Sequence, residues 1–204
     1  MLSAAAIGAA LVAGLLAYAA TRPGTFHVER TIGIQAPPDR IFAFLNDFAQ
    51  WSRWSPYEKL DPAMRRTRSG PASGKGAVYA WNGNRKAGAG RMEILQSVAP
   101  WSMVAKLDFS RPFEAHNTVR FTLATEGGST RVTWSMEGPQ AYAFKLMTVF
   151  FSMDAMLGKE FETGLCNLKT VAEQPPLDRL EHTPEHKGTD TPDAASQESL
   201  PNFR

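Results

Sequence analysis

Asp154 is the acid best placed for chemistry, three positions after Phe151 and seven before Phe161, beside an apolar helical stripe. A carboxylate facing an apolar cavity has its neutral form favoured and can donate or accept a proton. At the edge of that stripe the same group is instead solvated or paired with a basic residue. Tyr79, Trp81, Trp101 and Trp134 are candidates for a ligand site, because each combines a stacking ring with an N–H or O–H donor. Phe121, Phe151 and Phe161 supply further apolar surface to that site, unless all these rings are simply core. Trp51 and Trp54 fall in a segment that would border a cavity mouth, gating it or plugging the end of a sheet.

Other motifs exclude more than they offer. Cys166 cannot form an internal disulfide alone, and beside Leu165 it reads as a small buried residue rather than a nucleophile. His27, His116, His182 and His186 do not combine with it in a zinc spacing, and Pro184 breaks the helical geometry that a His182 and His186 pair would need. No metal site is expected. Gly70–Gly76 is one residue short of a phosphate-binding loop, with no Ser or Thr after Lys75. Gly88 and Gly90 lack the third glycine and the helix of a dinucleotide site, so no cofactor is implied. Arg65, Arg66 and Arg68 form a basic cluster, solvated or touching anionic lipid, but without the interleaved aromatic rings of an RNA surface.

The elements that must position these residues come from three unlike segments. The 204 residues carry a net charge of +2, with 43% hydrophobic and 21% charged residues, an ordinary globular composition that excludes disordered, collagen-like and coiled-coil chains. The average conceals its ends. Leu2 to Ala20 contains no charge, which predicts a single membrane-spanning helix over residues 1–22; a cleaved signal peptide is the alternative, with Ala17-Tyr18-Ala19 as its site. Retention is favoured, because no Lys or Arg precedes the apolar run. Arg22 and Arg30 follow it, which places the bulk of the chain in the cytoplasm. Ala5, Ala9, Ala13 and Ala17 recur every fourth residue, a small-residue stripe compatible with a homodimer or with an unpartnered anchor. Residues 174–204 are rich in Pro, Asp, Glu, Ser and Thr and carry six acidic against three basic side chains, a disordered polar tail of charge −3.

Residues 25–173 read as α+β. A first strand holds Phe26, Val28, Ile32 and Ile34 on one side, with a slip at Arg30 and Thr31. After Ala36-Pro37-Pro38, a short helix presents Ile41, Phe42, Leu45 and Phe48, and a loop runs from Asp61 to Gly74. Five strands follow, over 77–82, 88–98, 102–109, 113–124 and 130–137, the last two joined by a Gly127-Gly128 turn. Along the fourth, Phe113, Ala115, Val119, Phe121 and Leu123 are the apolar positions; on its neighbour Val132, Trp134 and Met136 point inward. A long helix over 140–172 carries Phe144, Met147, Phe151, Leu157, Phe161, Leu165 and Leu168 along one stripe. A sheet with one wet face must cover the other, and this helix is the only element large enough. The expected architecture is a curved antiparallel sheet gripping a long C-terminal helix, with an apolar cavity between them.

The strand, then APPDRIFAFLNDFAQWSRWSPY, YAWNGN and AGAGRMEI, the Gly-Gly hairpin, and the helix ending MDAMLGKEFETGLCNLKTVAE together resemble the SRPBCC superfamily. It groups START-like lipid-transfer domains, polyketide cyclase/dehydrase-like proteins and birch-pollen-allergen-like carriers. The resemblance covers Phe26 to Glu173 and implies a helix-grip fold with a hydrophobic ligand cavity. It carries over no catalytic residue. The expected function is a membrane-anchored module binding a hydrophobic small molecule or lipid, with no nucleic acid partner. A cyclase-like or hydrolase-like enzyme using Asp154 is one alternative, and a non-catalytic regulatory or assembly module the other.

Overall fold

A computed structural model of the protein describes residues 4–140, 145 and 152–175. The chain divides into Met1–Gln174 and Pro175–Arg204; the second part, which holds the expected polar tail, lies outside the described residues except for its first residue.

Seven strands form one antiparallel sheet: β1 (Thr25–Ile34), β2 (Arg65–Ser69), β3 (Val78–Asn82), β4 (Ala89–Val98), β5 (Ser102–Arg111), β6 (Ala115–Glu126) and β7 (Ser129–Pro139). Their spatial order is β1-β7-β6-β5-β4-β3-β2, so a meander runs from β2 to β7 and β1 closes against its last strand. β2 falls in the segment expected to be a loop. Its five residues Arg-Arg-Thr-Arg-Ser are all exposed, and charge along an exposed edge guards the sheet against pairing with another chain.

Helix α3 (Met153–Glu173) covers the inner face, capped by Ser152, whose Oγ accepts from the Ala155 amide at 3.3 Å. Leu157, Phe161, Leu165, Leu168 and Ala172 recur at helical spacing toward the sheet. The earlier part of the expected helix, with Phe144, Met147 and Phe151, lies outside the described residues. Helix α2 (Pro38–Asn46) opens with proline in its first turn, where the missing N–H costs nothing, and buries Ile41, Phe42, Phe44 and Leu45. Two 3₁₀ turns, Gln50–Arg53 and Pro56–Lys59, carry the chain from α2 across one end of the sheet.

Arg30 corrects the expected slip in β1. Phe26, Val28, Arg30, Ile32 and Ile34 all share one parity, so the strand continues unbroken and Arg30 faces the helix. Its guanidinium reaches the Asp154 carboxylate and, through Nε, Glu162 Oε1 at 2.7 Å. Gly158 makes this crossing feasible, because a Cβ there would collide with the guanidinium. Cys166, expected to be buried, is exposed on the outer side of α3.

The N-terminal helix α1 (Ala4–Thr21) has 18 residues, about 27 Å at 1.5 Å per residue, against a bilayer core of about 30 Å. Among the described residues, no helix is long and apolar enough to cross a membrane, so the span expected of Leu2 to Ala20 is not shown. Nothing is described of the side chain of Ala5, while Ala9, Ala13 and Ala17 are exposed on α1 with Ile7, Leu11, Val12 and Leu16. Beyond the helix, the Gln140 amide donates to Gly24 O at 2.7 Å, continuing the β1–β7 pairing into the junction.

Candidate ligand cavity

Inward-facing residues form rows across the sheet. One row holds Phe26, Gly138, Asn117, Leu107, Met92 and Tyr79, from β1 to β3. The next holds Val28, Met136, Val119, Ala105 and Ile94; beyond it stand Arg30, Trp134, Phe121 and Met103. The last of these rows is packed solid: Trp134 and Phe161 stack with centroids 4.1 Å apart, and Phe121 and Trp54 close around them. Toward the other end the helix and sheet diverge, leaving a cavity of about 400 Å³. That size suits a small organic ligand.

Trp51, Tyr57, Tyr79, Trp81, Phe109, Trp134 and Phe161 form the aromatic part of its wall, with Met64, Met92, Leu107, Val119, Met136 and Leu157 filling between rings. Trp81 stands edge-on to Phe109 at 5.5 Å and stacks on Tyr79 at 6.0 Å. Ala87, Pro112, Phe113, Pro139 and Gln140, at the end of the sheet where α1 joins β1, complete the lining. Phe113 and Leu60 line this end while remaining exposed, so they mark the way in.

Glu58 is the only charged side chain among the described lining residues, and it is held from two sides. The Tyr79 hydroxyl donates to its Oε1, and Arg66 Nε donates to its Oε2 at 2.6 Å. Arg66 also donates to the Glu58 and Met64 carbonyls, locking the 3₁₀ turn against the edge strand. Burial, reinforced by the Glu58 carboxylate, pushes the Tyr79 phenol well above its ordinary range, so it remains protonated. Tyr57 is also raised, chiefly by burial, and its hydroxyl has no hydrogen-bond partner among the described residues. The group therefore presents neutral phenols and a neutralised carboxylate to an apolar interior.

Of the residues singled out from sequence, Tyr79, Trp81, Trp134, Phe161 and Trp51 line the cavity. Trp51 belongs to the wall rather than the mouth. Trp54 and Phe121 do not line it; both are fully buried in the packed row behind. Phe151 lies outside the described residues, and Trp101 is exposed. Asp154 stands outside the lining with its carboxylate 57% exposed, and its hydrogen bonds to Arg30 hold its pKa below the usual carboxylate range. This favours the ionised form, the reverse of what an acid buried against a cavity requires. Glu58 and Asn117 were not anticipated. Asn117 had a visible signal, a polar side chain at an inward position of β6. Glu58 had none, since a 3₁₀ turn gives no periodicity that would aim a side chain.

The family described as polyketide cyclase / dehydrase and lipid transport matches residues 25–173, the whole span from β1 to the end of α3. The chain belongs to this family. No curated protein matches the chain. Among solved structures it is similar to protein CV1439 from Chromobacterium violaceum, at 13% identity and a TM-score of 0.53, covering 76% of this chain and all of that one. The di-domain ARO/CYC BexL of the BE-7585A biosynthetic pathway aligns at 19% identity and a TM-score of 0.56, over 78% of this chain and 54% of BexL. Major latex-like protein 151 from Panax ginseng aligns at 13% identity and a TM-score of 0.54, over 74% of this chain and all of that protein. At these identities the likeness is one of fold: a curved antiparallel sheet with its C-terminal helix.

Proposed function

We propose that this member of the polyketide cyclase/dehydrase family is a carrier that holds a hydrophobic small molecule or lipid between sheet and helix, close to a membrane. The observation that carries the reading is the cavity: about 400 Å³, walled by aromatic and thioether side chains, with Glu58, the one charged group among its described lining residues, paired with Arg66. Such a wall rewards burial of apolar surface, at roughly 25 cal/mol per Å² before the costs of association. Membrane proximity is supported by α1, which is free of charge and exposes Ile7, Leu11, Val12 and Leu16 to its surroundings. Its junction with β1 adjoins Gln140, which lines the cavity, so a ligand leaving the bilayer would meet the mouth directly. Arg22 beside the helix end favours a cytoplasmic domain. Native mass spectrometry of the full chain extracted in mild detergent tests the carrier: a retained hydrophobic molecule of constant mass is expected. Repeated recovery of the bare polypeptide would overturn it.

A cyclase-like reading is the second, favoured by one observation, the Tyr79, Glu58 and Arg66 group on the cavity wall. Proton transfer would run through Glu58 and Tyr79, not through Asp154, which is engaged by Arg30.

A further inference from the structure

Cations gather at the end of the sheet where the cavity opens. The register sets Arg65 of β2 beside Asn82 of β3, Asn82 beside Ala89 of β4 and Ala89 beside Arg111 of β5, a row of strand ends about 14 Å across. The β3–β4 loop, residues 83–88, adds Arg85 and Lys86 beyond that row. Phe113, 58% exposed, follows Arg111 closely in the chain, and Leu60, 38% exposed, shortly precedes Arg65. Both line the mouth.

The loop's backbone is held from within. The Asn84 backbone amide donates to Asp61 Oδ2 at 2.7 Å, and Asn84 Oδ1 accepts from the Lys86 and Ala87 amides at 2.8 and 3.1 Å. The Gly88 amide donates to Asn84 O at 2.8 Å, and Trp81 Nε1 donates to Ala87 O at 3.0 Å. The exposed Arg85 and Lys86 side chains are therefore presented on a fixed turn, which leaves little backbone entropy to lose on contact with a partner. Elsewhere, surface cations meet an acid: Arg91 pairs with Glu93, Lys106 with Asp108, Arg131 with Glu126 and Lys169 with Glu173. Arg65, Arg85 and Lys86 pair with no carboxylate among the described residues. The acids on neighbouring segments are engaged, Glu58 by Arg66, Asp61 by the Asn84 and Ala63 amides, and Glu114 3.4 Å from His116 Nε2.

We infer that this rim docks on an anionic phospholipid bilayer, with Arg65, Arg85, Lys86 and Arg111 against the headgroups and Phe113 and Leu60 entering the interface. Charge complementarity selects the occupant: each cation close to an anionic leaflet strengthens binding about fivefold. Exposed apolar side chains set among those cations select it further, because a bilayer offers hydrocarbon beneath its charge and a nucleic acid does not. Helix α1, free of charge, joins β1 at this same end and continues the surface. The inference rests on the membrane proximity of the carrier reading. It adds that the folded domain itself touches the bilayer, through charge, and holds the cavity mouth against the lipid.

A bimane label on Glu114→Cys, in the full chain carrying Cys166→Ser, reports on the rim, since Glu114 is 79% exposed beside Phe113. On vesicles of phosphatidylcholine with phosphatidylglycerol, a lipid bearing a nitroxide on its headgroup should quench the label. The quenching should be lost on phosphatidylcholine alone, and at about 0.5 M NaCl, where the screening length falls to about 4 Å. Arg85→Gln with Lys86→Gln should weaken docking about 25-fold and abolish the quenching. Arg120→Gln with Arg131→Gln, an equal charge change on the outer face of the sheet, should preserve it. Equal quenching on the two kinds of vesicle, or equal loss in the two double variants, would overturn the inference. Co-sedimentation separates it from the reading beneath it: a chain that pellets with vesicles without quenching loses the rim and keeps α1 as the membrane contact. A chain that pellets with neither vesicle overturns both.

Discussion

The guanidinium of Arg30 on β1 closes on the carboxylate of Asp154 in the first turn of α3 through two contacts, Nη1 to Oδ1 at 2.8 Å and Nη2 to Oδ2 at 2.9 Å. Together with the Nε contact to Glu162, this pins the helix to the sheet one turn either side of Gly158. Leu157 and Phe161 lie in the same stretch of α3 and line the cavity. The pair thus fixes the height of the cavity roof without touching what lies beneath it.

Replacing Asp154 with Asn should lower the unfolding temperature and leave binding of the apolar fluorescent probe N-phenyl-1-naphthylamine unchanged. The Arg30 contacts hold the carboxyl below its ordinary value of 3.8. The unfolded chain therefore takes up the proton more readily, so the stability the pair contributes is complete above that value and lost as pH falls through the folded one. Thermal unfolding of wild type and Asp154→Asn should show a constant gap near neutrality that narrows as pH falls below 3.8. A gap that persists undiminished in acid would show that the carboxylate is not its source.

The alternation of β6 and β7 and the helical stripe of α3 were legible because each repeats over ten or more residues. What alternation encodes is the face, not the position along it. Val119 and Phe121 share a face, yet one lines the cavity and the other is packed beneath Trp54, because helix and sheet diverge only toward one end. The informative residues broke the pattern. Arg30 looked like a slip and is the inward group that meets α3; Asn117 interrupts the apolar positions of β6, and its Oδ1 is buried against Gly138 without a hydrogen-bond partner. Edge strand β2 was hidden because an exposed strand of arginines has no apolar side to reveal it.

His116 offers a second, oppositely signed pH effect. Its Nδ1 lies 2.6 Å from Asp108 Oδ1, and this hydrogen bond raises the imidazole above its ordinary value of 6.5. Burial pushes the Asp108 carboxyl up, but His116 and Lys106 outweigh it and hold it low. The stability contributed by His116 is fully present below 6.5 and is lost as pH rises through the higher folded value. NMR titration should find His116 above 6.5 in wild type and displaced downward in Asp108→Asn. Identical titration curves would refute the pairing in solution.

Glu58→Gln separates carriage from chemistry. Glutamine keeps a carbonyl for one of its two partners but surrenders the charge facing Arg66, at a cost of about 1–3 kcal/mol in unfolding free energy. A carrier should retain affinity for the apolar probe N-phenyl-1-naphthylamine within about threefold, because burial of apolar surface supplies its binding. A larger loss would make Glu58 a binding group, and turnover of a cyclisable substrate abolished in this variant alone would favour the enzyme.

Val119→Phe tests the cavity itself against its immediate background. Val119 is buried on β6 between Met136 and Ala105, and it lines the cavity. A ring added there enters space that holds no protein atoms, so overpacking strain is small and the unfolding free energy should stay within about 1 kcal/mol of wild type. The same ring occupies the place of a ligand, and binding of N-phenyl-1-naphthylamine should weaken by tenfold or more, about 1.4 kcal/mol. Phe121→Leu, two residues further on the same face, supplies the contrast. It removes packing from the solid row around Trp134, so stability should fall by about 1–2 kcal/mol while the probe affinity persists. If Val119→Phe instead unfolds the chain and leaves ligand binding in the surviving fraction intact, the ligand sits elsewhere and the space beneath α3 is not its site.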